Sequence, residues 1–235
     1  MRARLPPHRP GLRIGLYGGS FNPPHAGHRH VSLLALRRLR LDRLWWIVTP
    51  GNPLKETRGL PSLSERMALA RRVAAHPRIA VTGFEAEIGA RYTLDTLSYL
   101  KSRHPDVRWV WVMGADNLGN FHRWRGWRQI ARLMPIAVVD RPGATFPALG
   151  SPAAKAFAQG RVEEREAASL AGREPPAWVF LHGPRSFLSS TRLRQQQVIE
   201  LSSPRGHSGV LRPTDAGRVL EDPGTEPTDS AARGP

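Results

Sequence analysis

Cysteine is absent from the 235 residues, which excludes disulfides, thiolate zinc sites, iron–sulfur clusters and cysteine nucleophiles together. Long apolar runs are absent too. The most apolar stretches, around Leu44 to Val48 and Trp109 to Met113, have the length of a strand, so no membrane partner is expected. No apolar segment follows Met1 that would serve as a signal peptide, and a cytoplasmic address is the expectation. Lysine is scarce: Lys55, Lys101 and Lys155 are the three, so 32 of the 35 Lys plus Arg are arginine, against 19 Asp plus Glu and a formal net charge of +16. The arginines are spread through every segment, with Gly and Pro at 22 each, which reads as codon bias rather than a binding stripe. No specific nucleic-acid partner is expected. A basic nucleic-acid-binding module nevertheless stands as the rival from another functional class.

What is present is an alternation of short apolar runs with amphipathic segments, the signature of βαβ units around a parallel sheet. Strands are expected at Leu12 to Tyr17, Arg43 to Val48, Ile79 to Val81, Val107 to Met113, Pro135 to Val139 and Trp178 to Leu181. Helices are expected from the first loop to about Arg40, from Ser62 to about Ala75, from about Thr93 to Ser102 and near Trp127 to Leu133. Ser62-Leu63-Ser64-Glu65 fits a capping box. Residues 1–11, rich in Pro and Arg, are expected to be unstructured, residues 12–200 to form one domain, and residues 201–235, with their Pro, Gly and charge, to be a disordered tail. From Ala144 to Pro176 the pattern is lost, and a surface connection with one helix is expected there. A last helix is expected to start in Ser189 to Gln197.

The chemistry concentrates in the loop Gly18-Gly19-Ser20-Phe21-Asn22-Pro23-Pro24-His25-Ala26-Gly27-His28, between the first strand and first helix. Ligands bind at such strand ends in open α/β sheets. The glycines are expected to let the backbone approach a phosphate, and the prolines to stiffen the loop. His25 and His28, at i and i+3, share one face of the first helical turn, beside N–H groups that have no intrahelical partner. That arrangement suits an anion whose charge grows during reaction. No Asp, Glu or third His at ligand spacing supports a metal site. The loop has neither the P-loop nor the Gly-x-Gly-x-x-Gly pattern.

Gly-x-Phe-Asn-Pro-Pro-His-x-Gly-His resembles the signature of the nucleotidyltransferase superfamily, and Leu188-Ser189-Ser190-Thr191-Arg192-Leu193-Arg194 resembles its second motif, Ile-Ser-Ser-Thr-x-Ile-Arg. Three further segments make the chain similar to the bacterial nicotinate-nucleotide adenylyltransferases within it: Thr49 to Lys55, Arg91 to Leu97, and Met113 to Leu118 followed by Trp124. The similarity covers about Leu12 to Gln197. It implies an α/β fold, a Rossmann-like doubly wound parallel sheet with helices on both faces, and transfer of AMP from ATP to nicotinate mononucleotide. It further implies that the acceptor phosphate attacks the α-phosphorus directly, with Mg²⁺ arriving on the phosphates of ATP.

The resemblance assigns His25, His28, Lys55 and Arg194 to catalysis. Gly18, Gly19, Ser20, Phe21, Asp116, Ser189, Ser190 and Thr191 are assigned to ATP, and Asn22, Tyr92, Thr93 and Trp124 to the acceptor. These types suit the roles: a hydroxyl cluster with an arginine fork one turn on can hold phosphate oxygens, a carboxylate can receive ribose hydroxyls, and an aromatic face can stack on a pyridine. A different acceptor, nicotinamide mononucleotide or another phosphorylated group, is the alternative within the superfamily.

Overall fold

A computed structural model describes residues 3–51 and 60–183. Its strands are β1 (Arg13–Gly19), β2 (Arg43–Val48), β3 (Ile79–Thr82), β4 (Arg108–Gly114), β5 (Ile136–Val139), β6 (Arg161–Val162) and β7 (Trp178–Leu181). All pair in parallel, in the order β3-β2-β1-β4-β5-β7-β6. The chain builds outward from β1 to β3, then returns to the other side of β1 with β4. The strand order therefore reverses between β1 and β4, which opens a crevice at their carboxyl ends.

Alternation along the strands divides the core into two layers. Ile14, Leu16, Trp45, Ile47, Trp109, Trp111 and Met113 face one side, under α3 (Phe84–Ile88), α4 (Thr93–Arg103), α5 (Ala115–Asn120), α6 (Trp127–Leu133), α7 (Thr145–Leu149) and α8 (Pro152–Ala156). Tyr17, Leu44, Trp46, Val48, Val110 and Val112 face the other, under α1 (Ala26–Arg38), α2 (Leu63–Ala74) and the 3-10 segment Glu164–Gly172. Near-continuous burial of β2, β4 and β5 is what a parallel sheet covered on both faces requires. Among the described residues no helix is long and apolar enough to cross a membrane.

α2 begins as its sequence predicts: the Glu65 N–H donates to Ser62 Oγ (3.2 Å), and the Ser62 N–H donates to Glu65 Oε2 (2.8 Å). Two segments differ from expectation. Residues 3–11 hold no helix or strand but are laid against the core: the Arg4 N–H donates to Glu87 Oε2 (2.7 Å), the His8 ring stands edge-on to Trp45, and Leu5 packs on the same cluster. Between 144 and 176 the chain forms α7, α8, β6 and the 3-10 turns, and Ala148, Ala153, Ala154, Ala167 and Leu170 are buried. Helices of five residues are too short to show a 3.6-residue period, and alanine buries without a bulky pattern. The expected tail and the helix start at Ser189 to Gln197 lie outside the described residues.

Candidate active site

His25 is the N-cap of α1, with extended backbone. Its Nδ1 accepts from the Gly27 N–H (3.1 Å), while its own N–H donates to His28 Nδ1 (3.2 Å), a capping box built from two histidines. The rings lie 3.9 Å apart between centroids, at 5% and 9% exposure. Burial, reinforced by the charge of Arg141, pushes His25 down to about 4. Burial, then the neighbouring His25 and Arg141, pushes His28 down to about 2, against the upward pull of its backbone hydrogen bond. Both rings are neutral at pH 7. Because each Nδ1 accepts a backbone N–H, each neutral ring carries its proton on Nε2 and offers that N–H as a donor.

The pair is held from beneath. Ser32 Oγ donates to the His28 carbonyl (2.8 Å) and accepts from Trp46 Nε1 (2.7 Å). Phe21 stacks on Trp46 at 4.7 Å and lies 4.8 Å from His28. At 1% exposure the Phe21 ring is core, and the residue adopts a positive φ of 45°. Gly18 has a packing reason beside the one its sequence suggests. A Cβ there would stand 2.6 Å from the Trp111 ring, so the missing side chain makes room for Trp111. Gly19, Ser20 and Asn22 are half-buried in the same loop.

Arg66 fastens that loop to the end of β2. At 1% exposure its guanidinium donates to four backbone carbonyls: Nη1 to Ser20 (2.9 Å) and Thr49 (2.8 Å), Nη2 to Pro50 (3.3 Å) and Nε to Pro61 (2.9 Å). Across the crevice, Asp116 opens α5 and is half exposed, with Arg141 Nε 3.5 Å from its Oδ1. Arg141 Nη2 donates to the Tyr17 hydroxyl (3.1 Å).

The start of α4, with Tyr92 and Thr93, lies against Arg125 and Gly126, the two residues that follow Trp124. Tyr92 is the N-cap of α4, where its N–H donates to Asp95 Oδ2 (3.1 Å), and Thr93 is its first residue. The Arg125 guanidinium lies 4.6 Å over the Tyr92 ring, and Gly126 sits so close to Leu94 that a Cβ would approach it to 2.5 Å. Trp124 stands edge-on to Trp111, 6.3 Å between centroids. Trp111 thus links the two halves of the site, touching Gly18 at one end and Trp124 near the other.

Four residues of this region carried no sequence signal: Arg66, Glu85, Trp111 and Arg141. Glu85 accepts from Thr96 Oγ1 (2.6 Å), one turn into α4, and burial raises its carboxyl to about 7 against that hydrogen bond. Its pH consequence is opposite to that of the histidines. The raised carboxyl contributes stability in full below its ordinary value of 4.5, and loses it as pH rises through about 7. The lowered histidines contribute in full above their ordinary 6.5, and lose it as pH falls. Glu85→Gln is therefore expected to flatten the alkaline limb, with a gain of up to about 3 kcal/mol at pH 8.5 relative to pH 4.5 at ~1.4 kcal/mol per pH unit. Urea unfolding at the two pH values checks it, and a variant that loses stability with rising pH as the parent does would place the limb elsewhere.

Lys55, Ser189, Ser190, Thr191 and Arg194 lie outside the described residues. The cytidylyltransferase-like family model matches residues 16–196. A protein of Methylorubrum extorquens (strain PA1), named "Probable nicotinate-nucleotide adenylyltransferase", is 64% identical over 183 residues, covering 78% of this chain and 99% of its own. One of the same name from Brucella suis is 57% identical over 194 residues, covering 83% and 100%. The solved Plasmodium falciparum nicotinic acid mononucleotide adenylyltransferase shares the fold at a TM-score of 0.57 and 17% identity, over 78% of this chain and 83% of that one. With the histidine pair at the β1–β4 crevice and these relatives matched along nearly their whole length, the chain belongs to the cytidylyltransferase-like family and, within it, to the nicotinate-nucleotide adenylyltransferases.

Proposed function

We propose that this protein transfers AMP from ATP to nicotinate mononucleotide, giving nicotinate adenine dinucleotide and pyrophosphate, in the cytoplasm. The carrying observation is the pair of histidines capping α1 at the strand-order reversal, each with its Nδ1 accepting a backbone N–H. In the reaction an acceptor phosphate oxygen bonds to the α-phosphorus of ATP, the bond from that phosphorus to the bridging oxygen breaks, and pyrophosphate leaves with the electron pair. No proton has to move, so positioning and charge stabilisation suffice. Mg²⁺ enters on the phosphates of ATP, which it prefers to a dedicated protein cage.

His25 and His28 donate to oxygens of the α-phosphate as its charge builds, with fixed donors that need no reorganisation. Lys55 and Arg194 hold the departing pyrophosphate, and Ser189, Ser190 and Thr191 hold phosphate oxygens beside it. Gly18, Gly19, Ser20 and Phe21 border ATP through their backbone, and the half-exposed Asp116 accepts from a ribose hydroxyl. Asn22, Tyr92, Thr93 and Trp124 receive the acceptor, with an aromatic face for the pyridine ring and N–H or hydroxyl donors for its carboxylate.

A carboxylate accepts charge-assisted hydrogen bonds where an amide would turn donors toward donors. Nicotinate mononucleotide is therefore expected to exceed nicotinamide mononucleotide in kcat/KM by about a hundredfold or more. Pyrophosphate release measured with each acceptor checks this. Equal values would remove the nicotinate assignment while leaving adenylyl transfer standing.

A further inference from the structure

The two histidines are neutral, yet the triphosphate and the acceptor phosphate that meet at them carry several negative charges. A permanent cation whose charge acts on both rings is Arg141, in the turn Asp140-Arg141-Pro142-Gly143 after β5. We propose that Arg141 is a phosphate-binding residue of the reacting centre, a guanidinium aimed across the β1–β4 crevice by Tyr17 and Asp116 to neutralise charge beside His25 and His28. This rests on the adenylyl-transfer reading and assigns a residue to it.

Its turn is built to hold the side chain still. Asp140 Oδ1 accepts both the Arg141 N–H (2.9 Å) and the Thr145 hydroxyl (2.6 Å), and Gly143 takes a φ of +76° that favours glycine. The guanidinium is then fixed at two points, by Nη2 to the buried Tyr17 hydroxyl and Nε toward Asp116, with a side-chain exposure of 22%. Among the described residues the Nη1 group makes no hydrogen bond, so the outer fork keeps donors for an oxyanion. Gly114 clears the space for this pair: a Cβ there would stand 2.4 Å from Asp116 Oδ1 and 2.8 Å from Arg141 Nε. The charge reaches the histidines, since it helps to hold both of them unprotonated. A cation that disfavours a positive imidazole is placed to favour a negative phosphate.

Arg141→Gln, which removes charge and keeps polarity, is expected to lower kcat by about two to three orders of magnitude with the melting temperature near that of the parent. Arg141→Lys should recover at least about tenfold of that loss, because the point charge survives without the fork. Gly114→Ala, which keeps both side chains but crowds Asp116 and Arg141, should lower kcat by about tenfold to a hundredfold through misplacement of the pair. A larger KM effect for ATP would assign the donor's phosphates, and one for nicotinate mononucleotide the acceptor's. Turnover of Arg141→Gln within threefold of the parent would overturn the proposal. So would equal losses in the Lys and Gln variants accompanied by a lowered melting temperature, the mark of a structural role. If Arg141→Gln does not fold, Gly114→Ala carries the test, and its unchanged turnover overturns the proposal. If the parent itself transfers no AMP, the functional reading has failed separately. Calorimetric binding of pyrophosphate to parent and Arg141→Gln then decides, weaker binding in the variant supporting a phosphate-binding Arg141 and equal binding overturning it.

Discussion

Replacing His28 by alanine is expected to lower turnover by about two to three orders of magnitude while ATP affinity stays within a few fold. The ring is neutral in the ground state, so its attraction for bound ATP is that of one ordinary donor. Its contribution grows only as charge builds on the α-phosphate during the transfer, and an interaction made in the transition state appears in kcat rather than in binding. The alanine also removes the Nδ1 that accepts the His25 N–H, opening one half of the capping box. His28→Asn restores an acceptor of similar reach without the imidazole and separates the two effects. Stability should return in the Asn variant and turnover should not, as single-turnover rates and melting curves would show. Near-normal turnover in either variant contradicts the role given to the pair.

Arg66→Ala is expected to destabilise the protein by about 3–5 kcal/mol, and to lower the melting temperature by roughly 10 °C. Four carbonyls, of Ser20, Thr49, Pro50 and Pro61, lose a charged donor in a place that holds Arg66 at 1% exposure, and a buried acceptor left without a partner costs about 1–3 kcal/mol. The four are not independent, so the sum is smaller than four separate losses. Activity should fall further than stability explains, because the carbonyls belong to the two loops that bracket the phosphate site. Arg66→Lys should recover little, since one ammonium cannot span acceptors on three segments. Chemical denaturation that finds less than about 1 kcal/mol for Arg66→Ala would show that water replaces the guanidinium.

The sheet was legible in the sequence where its strands are buried on both faces. Arg43–Val48 and Trp178–Leu181 fall at the bounds their apolar runs set, and the Ser62–Glu65 capping box marks the start of α2. The histidine loop was legible because its residues are contiguous and their i, i+3 spacing fixes a shared face. Elements of five or six residues, α3, α5, α7 and α8, left no period to read. Arg66 and Arg141 were hidden by abundance: among 32 dispersed arginines, nothing in the sequence separates one that binds carbonyls or phosphates from one that is solvated. The packing reason for Gly18 was not legible, since the Trp111 ring that needs its space lies 93 positions away in the chain and reaches it only through the β1–β4 pairing.

The central claim is that the bond broken lies between the α-phosphorus and the bridging oxygen of ATP, and that the acceptor's own phosphate takes the adenylyl group. ATP labelled at the α-phosphorus, incubated with Mg²⁺, nicotinate mononucleotide and the full chain, tests it most directly. The label is expected in nicotinate adenine dinucleotide, with one pyrophosphate released for each dinucleotide formed and none of the label on the protein after quenching. Label retained in ADP, or found covalently on the protein, would contradict direct adenylyl transfer at the histidine pair.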